Sequence, residues 1–189
     1  MHWIDPSALP AVKGTIACFT RNTKGDVDGV LLSDDRQIHV PPHMGAGVEK
    51  LFAAGDTIEA RYVKPRGGDV FAAVSVTSAS GKSVVDDGPP HKHDKHGAHD
   101  GGPPKKQKPA TKPVEFAGRV KRTIYAPKGE VAGAVLESGE QLRVDPKANA
   151  ELAPYFESGA EIRVWGDALQ RKGTTVVEVG EIGFSRDFE

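Results

Sequence analysis

The sequence predicts an all-β protein with one short helix per module: two tandem five-stranded barrels joined by a disordered linker. Three features carry this reading. The chain repeats itself at a spacing of 104 residues, its apolar residues alternate with period two between Gly and Pro turns, and a central stretch has no hydrophobic periodicity at all. Glycine (22), proline (14) and scarce aromatics (6%) in 189 residues suit short strands and many turns rather than long helices.

The repeat aligns without a gap from residue 14 to residue 62. It places Gly14 on Gly118, Lys24-Gly25 on Lys128-Gly129, Gly29 on Gly133, Gln37 on Gln141, Val40 on Val144 and Pro42 on Pro146. Phe52, Gly55 and Ile58 fall on Phe156, Gly159 and Ile162. Identical glycines at unchanged spacing mean turns of equal length in both copies. The expected boundaries are 1–78 for the first barrel, 79–113 for the linker and 114–189 for the second barrel.

Each copy reads in the same order. Val12–Thr20 and Phe116–Ile124 are first strands, followed by Lys-Gly turns in which glycine supplies positive φ. Val27–Leu32 and Val131–Leu136 are second strands, and tight hairpin loops lead into Gln37–Val40 and Gln141–Val144. Pro42 and Pro146 end these third strands because proline lacks the N–H a ladder needs. A short helix around Val48–Ala53, matched by Glu151–Phe156, precedes the fourth strands, Thr57–Val63 and Glu161–Trp165. Val70–Thr77 and Thr175–Ile182 close the modules.

Three strands, a helix and two strands in about 65 residues is the order of the oligonucleotide/oligosaccharide-binding (OB) barrel. The stretch Leu51-x-x-x-Gly55-Asp56-x-Ile58 resembles the helix-to-fourth-strand turn of that family, and the whole chain resembles small bacterial proteins with tandem OB-fold-like barrels. An SH3-like barrel is the rival architecture, but it usually lacks a helix of this length between its third and fourth strands.

Residues 79–113 fill with Gly, Pro, Lys, Asp and His, too polar to offset their ordering entropy, so they are expected to be disordered and to leave the barrels free to reorient. Within them His91, His93, His96 and His99 cluster with Asp94. Neutral imidazoles suit Zn²⁺, Ni²⁺ or Cu²⁺, although two lysines repel a cation and the spacing fits no closed structural site. Weak metal binding is the expectation; no other cofactor is implied. His39 and His43 have no third ligand nearby in sequence and read as a surface pair.

The formal net charge is −1, and only the linker is net basic, which argues against a dedicated duplex binder. The single Cys18 forms no internal disulfide. The N-terminus has neither the basic nor the apolar region of a signal peptide, and no apolar run is long enough to span a bilayer, so a cytoplasmic location is expected. A phosphate loop, Cys-x-x-Cys and Gly-x-Ser-x-Gly are all missing, so the chain reads as a non-enzymatic binding protein.

The resemblance implies a ligand face on strands two and three, framed by the loops joining strands 1–2 and 4–5. Alternation then turns Gln37 and His39, and Gln141 and Arg143, outward; Arg61, Arg163 and Trp165 follow by the same rule. The loops add Arg21, Asn22, Lys24, Lys64 and Arg66 in the first copy and Tyr125, Lys128, Arg171 and Lys172 in the second. Rings beside cations suit single-stranded nucleic acid, DNA or RNA, because bases stack while cations meet phosphates. A protein-interaction adaptor and metal handling by the linker are the competing readings.

Replacing His91, His93, His96 and His99 together is expected to leave thermal stability in metal-free buffer unchanged. Zn²⁺ or Ni²⁺ binding measured by calorimetry should vanish in that variant, and in the wild type should weaken as pH falls towards about 6. Undiminished metal affinity without these four would remove the linker from consideration.

Overall fold

The computed structural model of the chain describes residues 5–64, 70–87, 109–145 and 151–188; the four linker histidines and Arg66 lie outside them. The first half holds β1 (Ala11–Arg21), β2 (Val27–Leu32), β3 (Gln37–His39), α1 (Pro42–Leu51), β4 (Thr57–Val63), β5 (Val70–Ser78) and β6 (Ser83–Val85). The second holds β7 (Lys112–Tyr125), β8 (Val131–Leu136), β9 (Gln141–Arg143), a 3₁₀ turn at Ala153–Phe156, β10 (Glu161–Arg171) and β11 (Thr174–Phe184).

The second half is a closed five-stranded barrel, β10-β11-β9-β8-β7, with β9 and β11 parallel and every other pair antiparallel. The first half is a six-stranded sheet, β3-β2-β1-β4-β5-β6, in which β3 also pairs in parallel with β5. That extra pairing gives the first five strands the same circuit of neighbours as the barrel. Ile16, Val30, Leu32, Ile38, Val48, Ile58 and Val76 fill the first core, and Val120, Leu136, Leu142, Phe156, Ile162 and Val177 the second. No helix among the described residues is long and apolar enough to cross a membrane.

Several elements depart from the sequence reading. The helix starts at Pro42 rather than near Val48, because proline at the first helical turn costs no hydrogen bond. β10 runs on past its expected end at Trp165 to Arg171 and meets β11, which starts at Thr174, in a hairpin whose two-residue turn, Lys172-Gly173, has φ of 46° and 78°. Positive φ at both positions marks the turn type that matches the twist of a hairpin. The expected linker also contributes structure at both ends. β6 pairs with β5 and packs on α1, with His43 Nε2 2.7 Å from Asp86 Oδ1, and β7 already begins at Lys112.

The expectation of freely reorienting halves is overturned: the two are docked. Gln37 and Gln141, at equivalent positions, each cross to the other half. Tyr125 N–H donates to Gln37 Oε1 (2.9 Å) while Gln37 Nε2 donates to Tyr125 O (2.8 Å). Arg21 N–H donates to Gln141 Oε1 (2.9 Å), and Gln141 Nε2 donates to Phe19 O (2.7 Å). Arg143 Nε donates to Arg21 O (2.6 Å), and its Nη2 meets both carboxylate oxygens of Asp28 at 2.6 and 2.8 Å. Arg122 Nη1 donates to Leu32 O (2.8 Å). Between these bonds lies an apolar cluster of Leu31 and Cys18 from one half and Ile124, Ala126, Ala132 and Val135 from the other.

The hairpin between β10 and β11 adds a second clamp. Leu169 and Arg171 pack against Gly25, and Lys172 Nζ lies 2.9 Å from Glu49 Oε2 on α1. Glu49 in turn pairs with Arg21 Nη2 at 2.5 Å.

Two predictions of cost follow from this seam. Asp28→Ala leaves the buried Arg143 guanidinium without its carboxylate, and breaking such a pair costs about 3 kcal/mol. Urea unfolding of the intact chain should show that loss, and adding Arg143→Met should restore part of it. A loss in Asp28→Ala below about 1 kcal/mol, the range of exposed pairs, would mean the seam does not depend on this bridge.

Candidate nucleic-acid interface

The docking opens a cleft of about 220 Å³ along the seam, lined by Asn22, Thr23, Asp28, Gln37, His39, Tyr125, Ala126, Pro127, Ala132, Arg143 and Val144. Five of the sequence candidates meet here: Asn22, Gln37, His39, Tyr125 and Arg143. They come from the β1–β2 turn, β3, β7 and β9, and only the docking brings them together.

The turns joining β1 to β2 and β7 to β8 form the cleft's two rims. Asn22 Oδ1 accepts the backbone N–H groups of Lys24 (2.9 Å) and Asp26 (3.1 Å), which shapes the first turn around Thr23. Lys24 and Lys128 are the next residues out from the lining positions Thr23 and Pro127. Both are exposed, and neither has an ion-pair partner among the described residues.

Tyr125 ends β7 with its backbone pinned on both sides by Gln37, while its side chain remains 40% exposed. It also borders a second hollow of about 270 Å³ with Asp35, Lys121, Arg122, Thr123 and Ser158. The ring therefore stands as a crest between two concavities.

The other candidates are placed differently. The expectation that Gln37, Gln141 and Arg143 face solvent is corrected: all three are buried, with their polar atoms spent on the opposite half. Arg21 is buried as well, donating to Gly25 O (2.9 Å) and pairing with Glu49, with Nε unpartnered among the described residues. Arg171 and Lys172 belong to the clamp on Gly25 and Glu49. Arg61 lies on β4, outside the cleft's lining, and donates to Leu9 O (2.8 Å). Arg163 and Trp165 lie on β10 beneath the C-terminal turn. Trp165 meets the Phe188 ring edge-on at 5.1 Å, and the Arg163 guanidinium sits over the same ring at 5.7 Å. Trp165 is thus partly covered, which leaves Tyr125 as the open aromatic of the set.

The seam had one sequence signal. Val30-Leu31-Leu32 and Ala134-Val135-Leu136 break the alternation of a strand with one wet face, and both strands are buried on both faces. Leu31 and Val135 are the residues that face the other half.

The electrostatics of the cleft are muted. Burial pushes the His39 imidazole below its ordinary value of 6.5; Asp28 pulls it upward and Arg143 pushes it further down. Burial likewise lowers Arg143, against the pull of Asp28, which neutralises its charge. Burial raises Glu49, but hydrogen bonds from Lys172 and Arg21 outweigh it and hold the carboxyl below 4.5. Burial raises the Cys18 thiol. Among the described residues no group of three or more His, Cys, Asp or Glu could hold a metal ion.

No protein-family model and no curated protein matches the chain. Among solved structures it is similar to the single-stranded DNA binding protein from Thermus aquaticus. The wild type matches at 14% identity and a TM-score of 0.28, over 92% of this chain and 90% of that one. A deletion variant of the same protein matches at 14% identity and a TM-score of 0.28, over 92% of each chain. Identity and TM-score this low establish neither a shared ligand nor a shared mode of binding.

Both depressed pKa values work in one direction. A group whose folded pKa lies below its unfolded value contributes stability that is present above the unfolded value and lost as pH falls. Thermal melts should therefore show stability declining below about 6.5 through His39, with a further decline below about 4.5 through Glu49. His39→Gln should flatten the first decline. An unchanged slope between pH 7 and pH 5 in that variant would remove His39 as its source.

Proposed function

We propose that this chain is a non-enzymatic binding protein for single-stranded nucleic acid, built from two OB-type units. The strand would run across the rims of the seam cleft. The observation that supports this reading is the arrangement at that cleft: an exposed Tyr125, its backbone held by Gln37, with the exposed lysines Lys24 and Lys128 in the two rim turns, one from each half.

The chemistry follows from those positions. A base stacks on the Tyr125 ring, whose Cα is positioned by the bonds from Gln37 to its backbone. The phosphates on either side meet Lys24 and Lys128. Each lysine has its charge available, unlike Arg21 and Arg143, which are buried against Glu49 and Asp28. Few free cations mean a shallow dependence on salt, with stacking as the main source of affinity. Duplex is disfavoured because paired bases cannot offer their faces to a ring.

Fluorescence anisotropy with a labelled mixed-sequence single strand tests this. Tyr125→Ala should weaken binding about tenfold, since a base–aromatic contact contributes roughly 1–3 kcal/mol, and should leave the salt slope unchanged. Lys24→Ala with Lys128→Ala should reduce the slope by about 1.4, at about 0.7 per phosphate contact. No binding of any single-stranded DNA or RNA at low salt would overturn the reading in favour of a protein-interaction adaptor.

A further inference from the structure

The two copies share their docking glutamines but differ at the positions of the salt bridge that crosses the seam. The 104-residue shift places His39 on Arg143 and Asp28 on Ala132. Arg143 reaches across the seam to Asp28. The equivalent bridge in the opposite sense would run from residue 39 to residue 132, and there the chain has a histidine and an alanine. All four residues line the cleft. The cleft thus includes the place where the second bridge is missing.

What remains there is polar but carries no free charge. Asp28 and Arg143 neutralise each other, so neither an anion nor a cation finds an unspent partner on this wall. His39 is largely buried, and its ring nitrogens have no hydrogen-bond partner among the described residues. Its depressed pKa keeps it neutral near pH 7, with one donor and one acceptor. Asn22 uses its carbonyl oxygen on the turn, and its amide N–H₂ has no partner among the described residues. Ala126, Pro127, Ala132 and Val144 supply apolar walls.

A volume of about 220 Å³ lies below the roughly 300–1,000 Å³ of pockets for drug-sized ligands and suits a single ring system. A flat, uncharged ring with donors and acceptors on its edge matches the lining. The geometry points to a single nucleobase held in this cleft, its edge bonded to His39 and Asn22, in the space left by the absent second salt bridge. This inference rests on the strand-binding reading above. It adds a base-holding subsite distinct from the stacking crest at Tyr125.

The test restores the missing bridge. His39→Arg with Ala132→Asp supplies an arginine and an aspartate at the positions equivalent to Arg143 and Asp28. It fills the cleft and leaves the net charge unchanged, because His39 is neutral. Anisotropy with the labelled mixed-sequence single strand should show binding at least about tenfold weaker than wild type, with no fall in thermal stability. His39→Phe, which keeps a ring but removes both hydrogen-bonding nitrogens, is the second variant should the double one fail to fold, and it should also weaken binding. If the wild type binds and a folded variant of either kind binds equally well, the base subsite is wrong while the strand reading stands. If the wild type binds no strand, the strand reading itself falls.

Discussion

Two backbone positions, Arg21 at the end of β1 and Tyr125 at the end of β7, tie the halves of this molecule together. A backbone N–H or C=O shut away from water without a partner costs about as much as a lost hydrogen bond. The first-strand ends sit where the halves meet, and the glutamine side chains satisfy them. Glutamine suits the task because its amide carries a donor and an acceptor side by side. Each glutamine takes an N–H and gives to a carbonyl on the opposite half. The apolar cluster around Leu31, Ile124 and Val135 can stay dry only because these bonds leave no orphaned polar group in its midst.

Docking changes the meaning of the ligand face. On a lone OB-type barrel the outward side of strands two and three is open to a ligand. Here β2 with β3 meets β8 with β9, so most of the polar residues on that face serve the other half. Arg21 and Arg143 show how cations that look available in a sequence are spent on carboxylates within the fold, Glu49 and Asp28. What remains open lies at the rims, at Lys24, Lys128 and Tyr125.

Duplication also permits the halves to differ. A seam between identical copies would repeat every contact about a two-fold axis. In this chain both glutamines take the N–H at the end of the opposite first strand, Arg21 or Tyr125, whereas the carbonyls they donate to, Phe19 O and Tyr125 O, are not equivalent, and positions 28, 39, 132 and 143 break the repetition further. One Arg–Asp bridge secures the seam, and the place of its counterpart is a cleft. A single chain can hold such asymmetry because each copy mutates independently, which a homodimer cannot do.

The sequence by itself determined the repeat, the strand order and most strand positions, because these follow from local rules. Val27–Leu32, Val131–Leu136 and Thr57–Val63 came out at their observed bounds, since alternation and flanking turns are written in neighbouring residues. The helix start at Pro42 and the long β10–β11 hairpin were missed, because Pro42 read as a strand terminator and the alternation beyond Trp165 is weak. Which way Gln37, Gln141 and Arg143 point was legible; what they point at was not. Their partners lie about 90 to 120 positions away in the chain. Whether a polar side chain faces water or a second copy depends on a contact between two finished surfaces. Only the tertiary structure decided that, and with it the cleft, its rims and the exposure of Tyr125.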